Sequence, residues 1–209
     1  QNIIDAAIDR GVKKVLSLST DKAVNPVNLY GATKLCSEKL INQGNYYSHR
    51  DRTRLSCARY GNVIGSRGSV IPLFMKQRES GTVTVTDKRM TRFWITLDQG
   101  VQLVLDCLEG MQGGEVFVPK IPSTRIMDLV DVLAPDCAVE NIGVRPGEKI
   151  HELLISADEA RNTFDLGGMY VIRPSFGDCP VEPPDGGKTL PADFFYASDT
   201  NRPTAKVRI

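Results

Sequence analysis

The sequence has no long apolar run and no surplus of either charge. No stretch approaches the roughly 18 consecutive apolar residues that cross a bilayer, so we expect no membrane partner. The 26 basic and 25 acidic residues leave a formal net charge of +1. They do not form the clustered basic face that nucleic-acid binding requires, so no nucleic-acid partner is expected.

Closely spaced cysteines are absent too. The five cysteines lie far apart, and an odd, scattered set in a chain of 209 residues is typical of reduced thiols in the cytoplasm. Cys36 and Cys107 fall inside helical patterns and are predicted to pack in a core. The two histidines, His49 and His151, stand apart from any cysteine cluster, so no metal site is predicted.

The chain begins with Gln1 rather than methionine, and no secretory signal precedes its first elements. The residues up to Gly11 already carry the pattern of an amphipathic helix with a C-terminal glycine. We therefore expect the chain to begin inside a larger protein.

Apolar periodicity over the first 68 residues alternates between strand and helix patterns. Residues 15–18 suit a buried parallel strand, residues 29–47 a long helix and residues 55–60 a second strand. Strand, helix and strand in this order predict a βαβ unit and hence a doubly wound α/β fold, the C-terminal part of a Rossmann-like parallel sheet. Ligands bind beyond the carboxyl ends of such strands, so chemistry is expected in the loops after Leu18 and Tyr60.

The elements after residue 68 are predicted to be shorter and more mixed. An apolar i, i+3, i+4, i+7 stripe predicts a helix whose core-facing side carries Val101, Val104, Leu105 and Leu108. The other predicted elements are helices at 70–79 and 127–133 and strands at 83–85, 115–118 and 169–172.

We therefore predict two parts. Residues 1–68 form the C-terminal half of the Rossmann-like domain, and residues 69–209 form mainly a smaller mixed α/β lobe, with some segments returning to the sheet. The tail from about residue 174 is rich in proline and glycine and is expected to be irregular.

Tyr30 and Lys34 lie four residues apart at the start of the long helix, which places both side chains on one face. A free tyrosine, with a pKa of ~10, is a poor base at neutral pH, and a cation one turn away favours the phenolate. This spacing alone is common on surface helices. Thr20, however, directly follows a buried strand, and the three residues resemble the Ser/Thr-Tyr-Lys triad of extended short-chain dehydrogenase/reductases.

The neighbours of this triad sharpen the resemblance. Asp21 and Lys22 directly follow Thr20, a position where an isolated Asp-Lys pair would indicate only a solvated ion pair. The run STDKAVNPVNLYGATK at 19–34 resembles the inverting UDP-N-acetylglucosamine 4,6-dehydratases. So do YGNVIGSRGSV at 60–70, TDKRMTRFWIT at 86–96 and GVRPGEKIHE at 143–152. The likeness extends from residue 1 to about residue 174.

The resemblance implies a redox-neutral loss of water that inverts C5 of the sugar, an early step of pseudaminic acid and surface polysaccharide synthesis. Tyr30 would take the proton of the C4 hydroxyl while hydride passes from C4 to NADP. Lys22 would then remove the C5 proton, and Asp21 would protonate the departing C6 hydroxyl. These roles require an uncharged lysine beside a protonated aspartate, two states that burial and neighbouring charges must favour together.

The resemblance also implies the ligand contacts. Residues 1–68 would belong to the NAD(P)-binding domain, and residues 69–209 would mainly bind the UDP-sugar. Arg67 and Arg145 suit a diphosphate because a guanidinium matches phosphate oxygens bidentately, although each alone would indicate a surface cation. The implied NADP contacts are Tyr30, Lys34, Asn62 and Val63. The implied substrate contacts are Asn62, Arg67, Val70, Thr86 and Arg145.

Three other residues carry weaker signals. Trp94, between two apolar residues, is predicted to pack in a core rather than to stack on a base. His151 is predicted to cap or pack a helix rather than to take part in catalysis. Arg92, like Arg89, belongs to the third motif and is expected near the site without an assigned role.

No Gly-x-x-Gly-x-x-Gly motif follows a strand in the sequence, although the resemblance implies one for the cofactor pyrophosphate. The sequence therefore does not distinguish NADP from NAD as the cofactor, and residues 1–209 by themselves are expected to be inactive.

Two alternatives to the dehydratase function remain. A 4-epimerase of the same superfamily is one, although Asp21 and Lys22 argue against it, and a non-catalytic fragment is the other. The full-length protein is expected to form homo-oligomers, as the resemblance implies.

Overall fold

The first 60 residues form a helix followed by a strand–helix–strand unit, as predicted. The structure is a computed structural model, and it describes residues 1–48, 53–66, 68–174 and 183–201. Helix α1 (Asn2–Asp9) precedes strand β1 (Lys14–Thr20), a 3₁₀ turn (Asp21–Ala23), helix α2 (Leu29–Tyr47) and strand β2 (Arg54–Tyr60).

Shorter elements make up the rest of the described chain. The further helices are α3 (Val70–Arg78), α4 (Leu97–Gly110), α5 (Ile126–Leu133) and α6 (Ala157–Ala160). The further strands are β3 (Asn62–Val63), β4 (Thr82–Val85), β5 (Thr91–Ile95), β6 (Val116–Pro119), β7 (Ser123–Arg125), β8 (Ala138–Asn141), β9 (Leu153–Ile155), β10 (Thr163–Asp165), β11 (Met169–Ile172), β12 (Lys188–Thr189) and β13 (Tyr196–Ala197).

The main sheet has six strands in the order β1-β2-β6-β11-β10-β12. Strands β1, β2 and β6 run parallel, whereas β11, β10 and β12 continue the sheet with antiparallel pairing. The predicted α/β class is confirmed, with the parallel, Rossmann-like part at one side of the sheet. Residues 116–119 and 163–172 therefore return to this sheet from the second half of the chain.

Strand β2 is buried on both faces of the sheet. Side chains alternate along a strand, yet Leu55, Ser56, Cys57 and Ala58 are all fully buried. Cys57 faces Asn42 of α2, and Ser56 on the opposite face donates to a carboxylate oxygen of Glu115 at 2.7 Å. A strand buried on both faces is the arrangement that a doubly wound sheet requires.

A second core lies between α3, α5 and strands β4 and β5. Its buried residues include Phe74, Val83, Met90 and Leu129. Trp94 of β5 also packs in this core, whereas its neighbours Phe93 and Ile95 point into the core of the main sheet. The predicted core role of Trp94 is confirmed, and its indole Nε1 donates to Thr124 Oγ1 at 2.9 Å.

Helix α4 turns only part of the predicted stripe to the core, where Leu108 packs. Leu103 and Cys107 point into the core, whereas Val101 and Leu105 are 52% and 54% exposed. Both faces carry apolar residues, so periodicity alone could not distinguish them. Burial raises the pKa of the Cys107 thiol to about 12. Cys36 is exposed, contrary to the prediction, because the buried face of α2 carries glycine and polar residues instead.

The tail is also more ordered than predicted within its described part, residues 183–201. Strand β12 extends the main sheet, and β13 pairs with β9. Tyr196 of β13 is buried, its ring centroid lies 4.9 Å from that of Phe93, and its hydroxyl donates to the carbonyl of Ile121 at 2.9 Å. One aromatic anchor thus holds a segment whose proline and glycine content predicted irregular structure.

A buried ion network centred on Arg59 joins β2 to two helices. The Arg59 side chain donates to both carboxylate oxygens of Glu38 on α2, at 3.0 and 2.7 Å. It also contacts both oxygens of Glu159 on α6, at 3.1 and 3.0 Å, and the carbonyl of Leu154 at 2.8 Å. Ser19, beside the end of β1, donates to Glu38 as well. All donors of this guanidinium therefore serve to align the elements around the carboxyl edge of the sheet.

The Glu159 carboxylate should make the stability of the protein dependent on pH. Burial alone would raise the pKa of Glu159, but the charge and hydrogen bonds of Arg59 lower it below its ordinary value. A lowered folded-state pKa gives stability above the unfolded value of ~4.3, which is lost as the pH falls through the folded value.

We therefore expect Glu159→Gln to reduce the unfolding free energy by about 2 kcal/mol at neutral pH and by less below pH ~4. Urea unfolding followed by circular dichroism at both pH values measures the difference. Glu109→Gln, on the exposed face of α4, is the matched control. If Glu159→Gln reduces the unfolding free energy equally at both pH values, this electrostatic account is contradicted.

Candidate active site

The carboxyl end of β1 leads directly into the candidate catalytic turn. Thr20 precedes the 3₁₀ turn, and its Oγ1 accepts from the backbone N–H of Lys22 at 3.3 Å. The same hydroxyl donates to Asp21 Oδ1 at 2.9 Å. Thr20 therefore holds the turn in a conformation in which Asp21 points inward and Lys22 points toward the cavity.

Gly31 allows helix α2 to approach this turn closely. The helix begins after Asn28, whose side chain accepts from the N–H of Gly31 at 2.8 Å. A Cβ on Gly31 would overlap the carbonyl oxygen of Lys22 and would lie 3.0 Å from Cβ of Pro26. The glycine after Tyr30 is thus required for close packing of helix and turn, and this packing brings Tyr30 beside the catalytic turn.

Tyr30 and Lys34 lie on the open side of the site. The Tyr30 side chain is 52% exposed, and Lys34 Nζ donates to the carbonyl of Leu18 at 3.0 Å. Tyr60, at the end of β2, lies close enough to interact with Tyr30. Burial raises the pKa of Tyr60, and the nearby Tyr30 adds to the increase.

Asp21 is the most deeply buried of the predicted site residues. It is fully buried, and Lys22 Nζ donates to its Oδ1 at 3.0 Å. Its Oδ2 has no hydrogen-bond partner within the described ranges. Lys22 Nζ also contacts Asn62 Oδ1 at 3.4 Å, which links the turn to the loop after β2.

The structure adds an acid that the sequence reasoning missed. Glu152, quoted above only as the end of a motif, is 3% exposed, and its Oε1 lies 4.0 Å from Lys22 Nζ. The same Oε1 lies 3.8 Å from Arg92 Nε, and Oε2 lies 3.9 Å from Lys149 Nζ. Burial raises the pKa of Glu152, with a further contribution from Asp21, and burial lowers the pKa of Lys149. No local signal in the sequence marks Glu152 as close to Asp21.

The two arginines of the third motif separate. Arg92 joins the Glu152 cluster, whereas the exposed Arg89 pairs with Asp87 at 2.7 Å. Hydrogen bonds from Arg89 lower the pKa of Asp87 to about 2. His151 does not cap any described helix; its Nδ1 lies 2.9 Å from Thr91 Oγ1 of β5.

A cavity of about 600 Å³ at the carboxyl edge of the sheet gathers most of the predicted residues. Asp21 does not line it, and Arg67 lies outside the described residues. The predicted residues that line the cavity are Thr20, Lys22, Tyr30, Lys34, Asn62, Val63, Val70, Thr86 and Arg145. They come from loops far apart in the sequence, so their convergence supports a single binding site.

Two structural searches bear on partners. In the part of the chain that the structure describes, no helix is long and apolar enough to cross a membrane. Nor do three or more His, Cys, Asp or Glu side chains among the described residues form a group that could hold a metal ion.

Comparison with known proteins gives the site its family context. A family model described as "Polysaccharide biosynthesis protein" matches residues 1–174. The chain belongs to this polysaccharide biosynthesis protein family. The inverting UDP-N-acetylglucosamine 4,6-dehydratase of Campylobacter jejuni is 48% identical over 210 residues, which cover 96% of this chain and 63% of that protein.

Two further proteins resemble the chain. UDP-glucose 4-epimerase of Rickettsia felis is 42% identical over 177 residues, 82% of this chain and 52% of that protein. The crystal structure of Pen from Bacillus thuringiensis superposes with a TM-score of 0.87 at 40% identity. That match covers 96% of this chain and 62% of Pen. The chain thus spans less than two thirds of the length of each of these relatives.

Gly31→Ala tests the close packing of helix and turn in this family member. We expect a loss of about 1–3 kcal/mol in unfolding free energy, because the added methyl group must displace the Lys22 carbonyl. Gly100→Ala is the matched control, since Gly100 is a helical glycine of α4 with open space around its missing Cβ. It should stabilise the protein by about 0.5–1 kcal/mol. Urea unfolding compares the two variants, and equal effects would contradict the proposed contact.

Proposed function

We propose that the full-length protein is an inverting UDP-N-acetylglucosamine 4,6-dehydratase. The observation that carries the proposal is the Asp21–Lys22 pair, joined at 3.0 Å. Lys22 lines the cavity together with Tyr30 and Lys34, and Asp21 lies buried behind Lys22. A tyrosine–lysine pair alone serves any hydride transfer at C4 of a sugar. An adjacent acid and amine add the proton donor and proton acceptor that an elimination needs.

The cofactor is proposed to be NADP, which when bound would accept hydride from C4 and return it to C6. The groups at the open side of the cavity fit such a ligand. The Tyr30 hydroxyl, the Lys34 ammonium and the Asn62 amide can all hydrogen-bond a ribose or a carboxamide, and Val63 offers an apolar contact. We propose these four residues as its contacts in this chain.

The first proposed role belongs to Tyr30. Tyr30, one helical turn from Lys34, would take the proton of the C4 hydroxyl as C4 is oxidised to a ketone. The position of Tyr30 at the start of α2 keeps its hydroxyl accessible from the cavity. Thr20 supports this step by holding the neighbouring turn in place.

Lys22 and Asp21 then carry out the proposed elimination. The C4 ketone acidifies the C5 proton, which moves to uncharged Lys22 Nζ. The C6–O bond breaks as Asp21 gives its proton to the departing hydroxyl, which leaves as water. Hydride would return to C6, and C5 would gain a proton from solvent on the opposite face. Tyr30 would release to solvent the proton that it took from the C4 hydroxyl, so the protons balance and the sugar loses one water without net oxidation.

Substrate contacts are proposed along the rest of the cavity. Arg145 would bind the diphosphate, with Arg67 as a second candidate, while Val70 and Thr86 would contact the nucleotide end. Asn62, which contacts Lys22 at 3.4 Å, would hold the sugar close to the catalytic turn.

We further propose a cytoplasmic homo-oligomer whose product enters pseudaminic acid or another surface polysaccharide. The family match to polysaccharide biosynthesis proteins supports the pathway class. The resemblance to dehydratases supports the assembly.

A nucleotide-sugar 4-epimerase is the second candidate, because a relative so named is 42% identical. Epimerisation at C4 leaves the C5 proton and the C6 hydroxyl in place, so it gives Asp21 and Lys22 no task. Product mass separates the two reactions. Full-length protein incubated with UDP-N-acetylglucosamine and NADP should yield a product lighter by one water, whereas an epimer keeps the mass of the substrate.

The same assay applies to residues 1–209 alone. We expect no turnover, because their sequence contains no glycine-rich loop for the cofactor pyrophosphate. Measurable product from this segment would show that the loop is dispensable.

Lys22→Ala tests the proton acceptor. In the full-length protein we expect C4 oxidation to continue, seen as reduced nicotinamide absorbance in a single turnover, while water loss falls by at least about 10²-fold. Lys13→Ala, at the amino end of β1 and exposed, should leave both steps unchanged. Formation of the dehydrated sugar at the normal rate by Lys22→Ala would refute the assignment.

A further inference from the structure

Glu152 is held in place from two sides, although none of the steps above uses it. Its backbone N–H donates to Ser198 Oγ at 2.9 Å, and its carbonyl accepts from the N–H of Ser198 at 2.9 Å. The guanidinium of Arg92 holds the carbonyls of Ile150 and Lys149, both at 3.0 Å. The main chain that carries Glu152 is thus held on both sides, while the Oε2 of its carboxyl has no hydrogen-bond partner in the described chain.

Lys22 lies between two cavities, and Glu152 borders only one of them. The larger, of about 600 Å³, contains Tyr30 and Lys34 in its lining. A smaller one, of about 200 Å³, is lined by Lys22, Glu152 and Lys149, among others. Glu152 does not line the larger cavity, and it can act on the reaction through the neighbours that do, Lys22 and Arg92.

The charges around Glu152 indicate how it can affect the reaction. One proton is shared across the 3.0 Å contact between Lys22 Nζ and Asp21 Oδ1, either as an ion pair or as a neutral pair of the same total charge. The proposed elimination needs the neutral pair. Lys149 is near enough to interact with Asp21, and its positive charge favours the ion pair. Arg92 adds a second cation beside Glu152. Glu152 faces these cations at 3.8 and 3.9 Å and Lys22 at 4.0 Å, and the charge of Asp21 acts on it more strongly than that of Lys22.

We propose that Glu152 is a positioning residue that neutralises Arg92 and Lys149 and so lets Asp21 hold the proton that it gives to the departing hydroxyl. After each elimination the C5 proton is on Lys22 and Asp21 is a carboxylate. Transfer of that proton across the 3.0 Å contact restores both groups without any external acid. The inference rests on the proposed dehydratase function and extends it to the charge balance behind the catalytic pair.

Glu152→Gln in the full-length enzyme provides the kinetic test. We expect kcat for water loss to fall on the order of 10²-fold, the lower range for a general acid. KM for the UDP-sugar and the formation of reduced nicotinamide in a single turnover should change little, because C4 oxidation does not use Asp21. Glu152→Asp should recover part of the rate. Glu140→Gln, exposed on β8, is the matched control and should behave like the wild type.

Removal of a second charge separates charge balance from a merely structural role. In Glu152→Gln, the additional change Lys149→Met removes a cation that is no longer neutralised. We expect the double variant to eliminate water about ten-fold faster than Glu152→Gln, a coupling typical of interacting charges. If Glu152→Gln slows oxidation and elimination equally, and Lys149→Met restores nothing, the inference is wrong.

A measurement independent of turnover uses the titration of Glu152 itself. The charged groups that face it are Asp21 and Lys22 from the turn, Arg92 from β5 and Lys149 from its own loop. Carbon NMR of protein labelled at the glutamate carboxyl, assigned with Glu152→Gln, follows the pKa of Glu152. In the ion-paired form of the Lys22–Asp21 contact, the Asp21 carboxylate raises the pKa of Glu152. Asp21→Asn removes that form, so the titration midpoint should move to lower pH.

Asp106→Asn, exposed on α4, is the control for this titration and should leave the midpoint in place. An unchanged midpoint in Asp21→Asn would overturn the proposed coupling. If the wild-type enzyme does not remove water from the UDP-sugar, the proposed function is refuted. The titration would still report whether Glu152 and Asp21 interact.

Discussion

The buried guanidinium of Arg59 is the interaction on which the arrangement of the site depends. It holds α2 through Glu38 and α6 through Glu159, while Ser19 contacts the same Glu38 at the end of β1. The catalytic turn follows directly after Ser19, and Tyr30 and Lys34 are on α2. Breaking such a buried pair from one side leaves an uncompensated charge, at a cost of about 3–5 kcal/mol. The strand that bears the turn and the helix that bears the tyrosine are therefore aligned by one ion network.

A second group of charges, around Asp21 and Glu152, is the one that we propose to serve chemistry instead of alignment. In the Arg59 network the guanidinium is saturated by hydrogen bonds of 2.7 to 3.1 Å. Around Glu152 the separations are 3.8 to 4.0 Å, and Asp21 and Glu152 each keep one oxygen without a hydrogen-bond partner among the described residues. Buried carboxyls left incompletely paired retain the capacity to exchange protons. This difference separates a structural ion network from a reactive one within the same edge of the sheet.

Much of the fold was predictable because its signals are local. The limits of α2 follow from Asn28 as a helix cap and from the periodicity up to Tyr47, and β2 follows from its apolar run. Predictions failed where two surfaces compete for the same pattern. Helix α4 has apolar residues on two sides, and only packing against the sheet selected Leu103 and Cys107. Tyr196 in the tail gained order from a distant partner, Phe93, that local composition does not reveal.

The sequence by itself determined the family resemblance and the residues that carry it, because Thr20, Asp21, Lys22, Tyr30 and Lys34 lie within one turn and one helix start. The spacing of residues along the sequence determines local geometry of this kind. Only the tertiary structure decided what surrounds them. Glu152 lies 130 residues from Lys22 along the chain, yet its carboxylate is 4.0 Å from the Lys22 amine. Charges act through space, so the groups that balance the catalytic pair cannot be identified until the chain has folded.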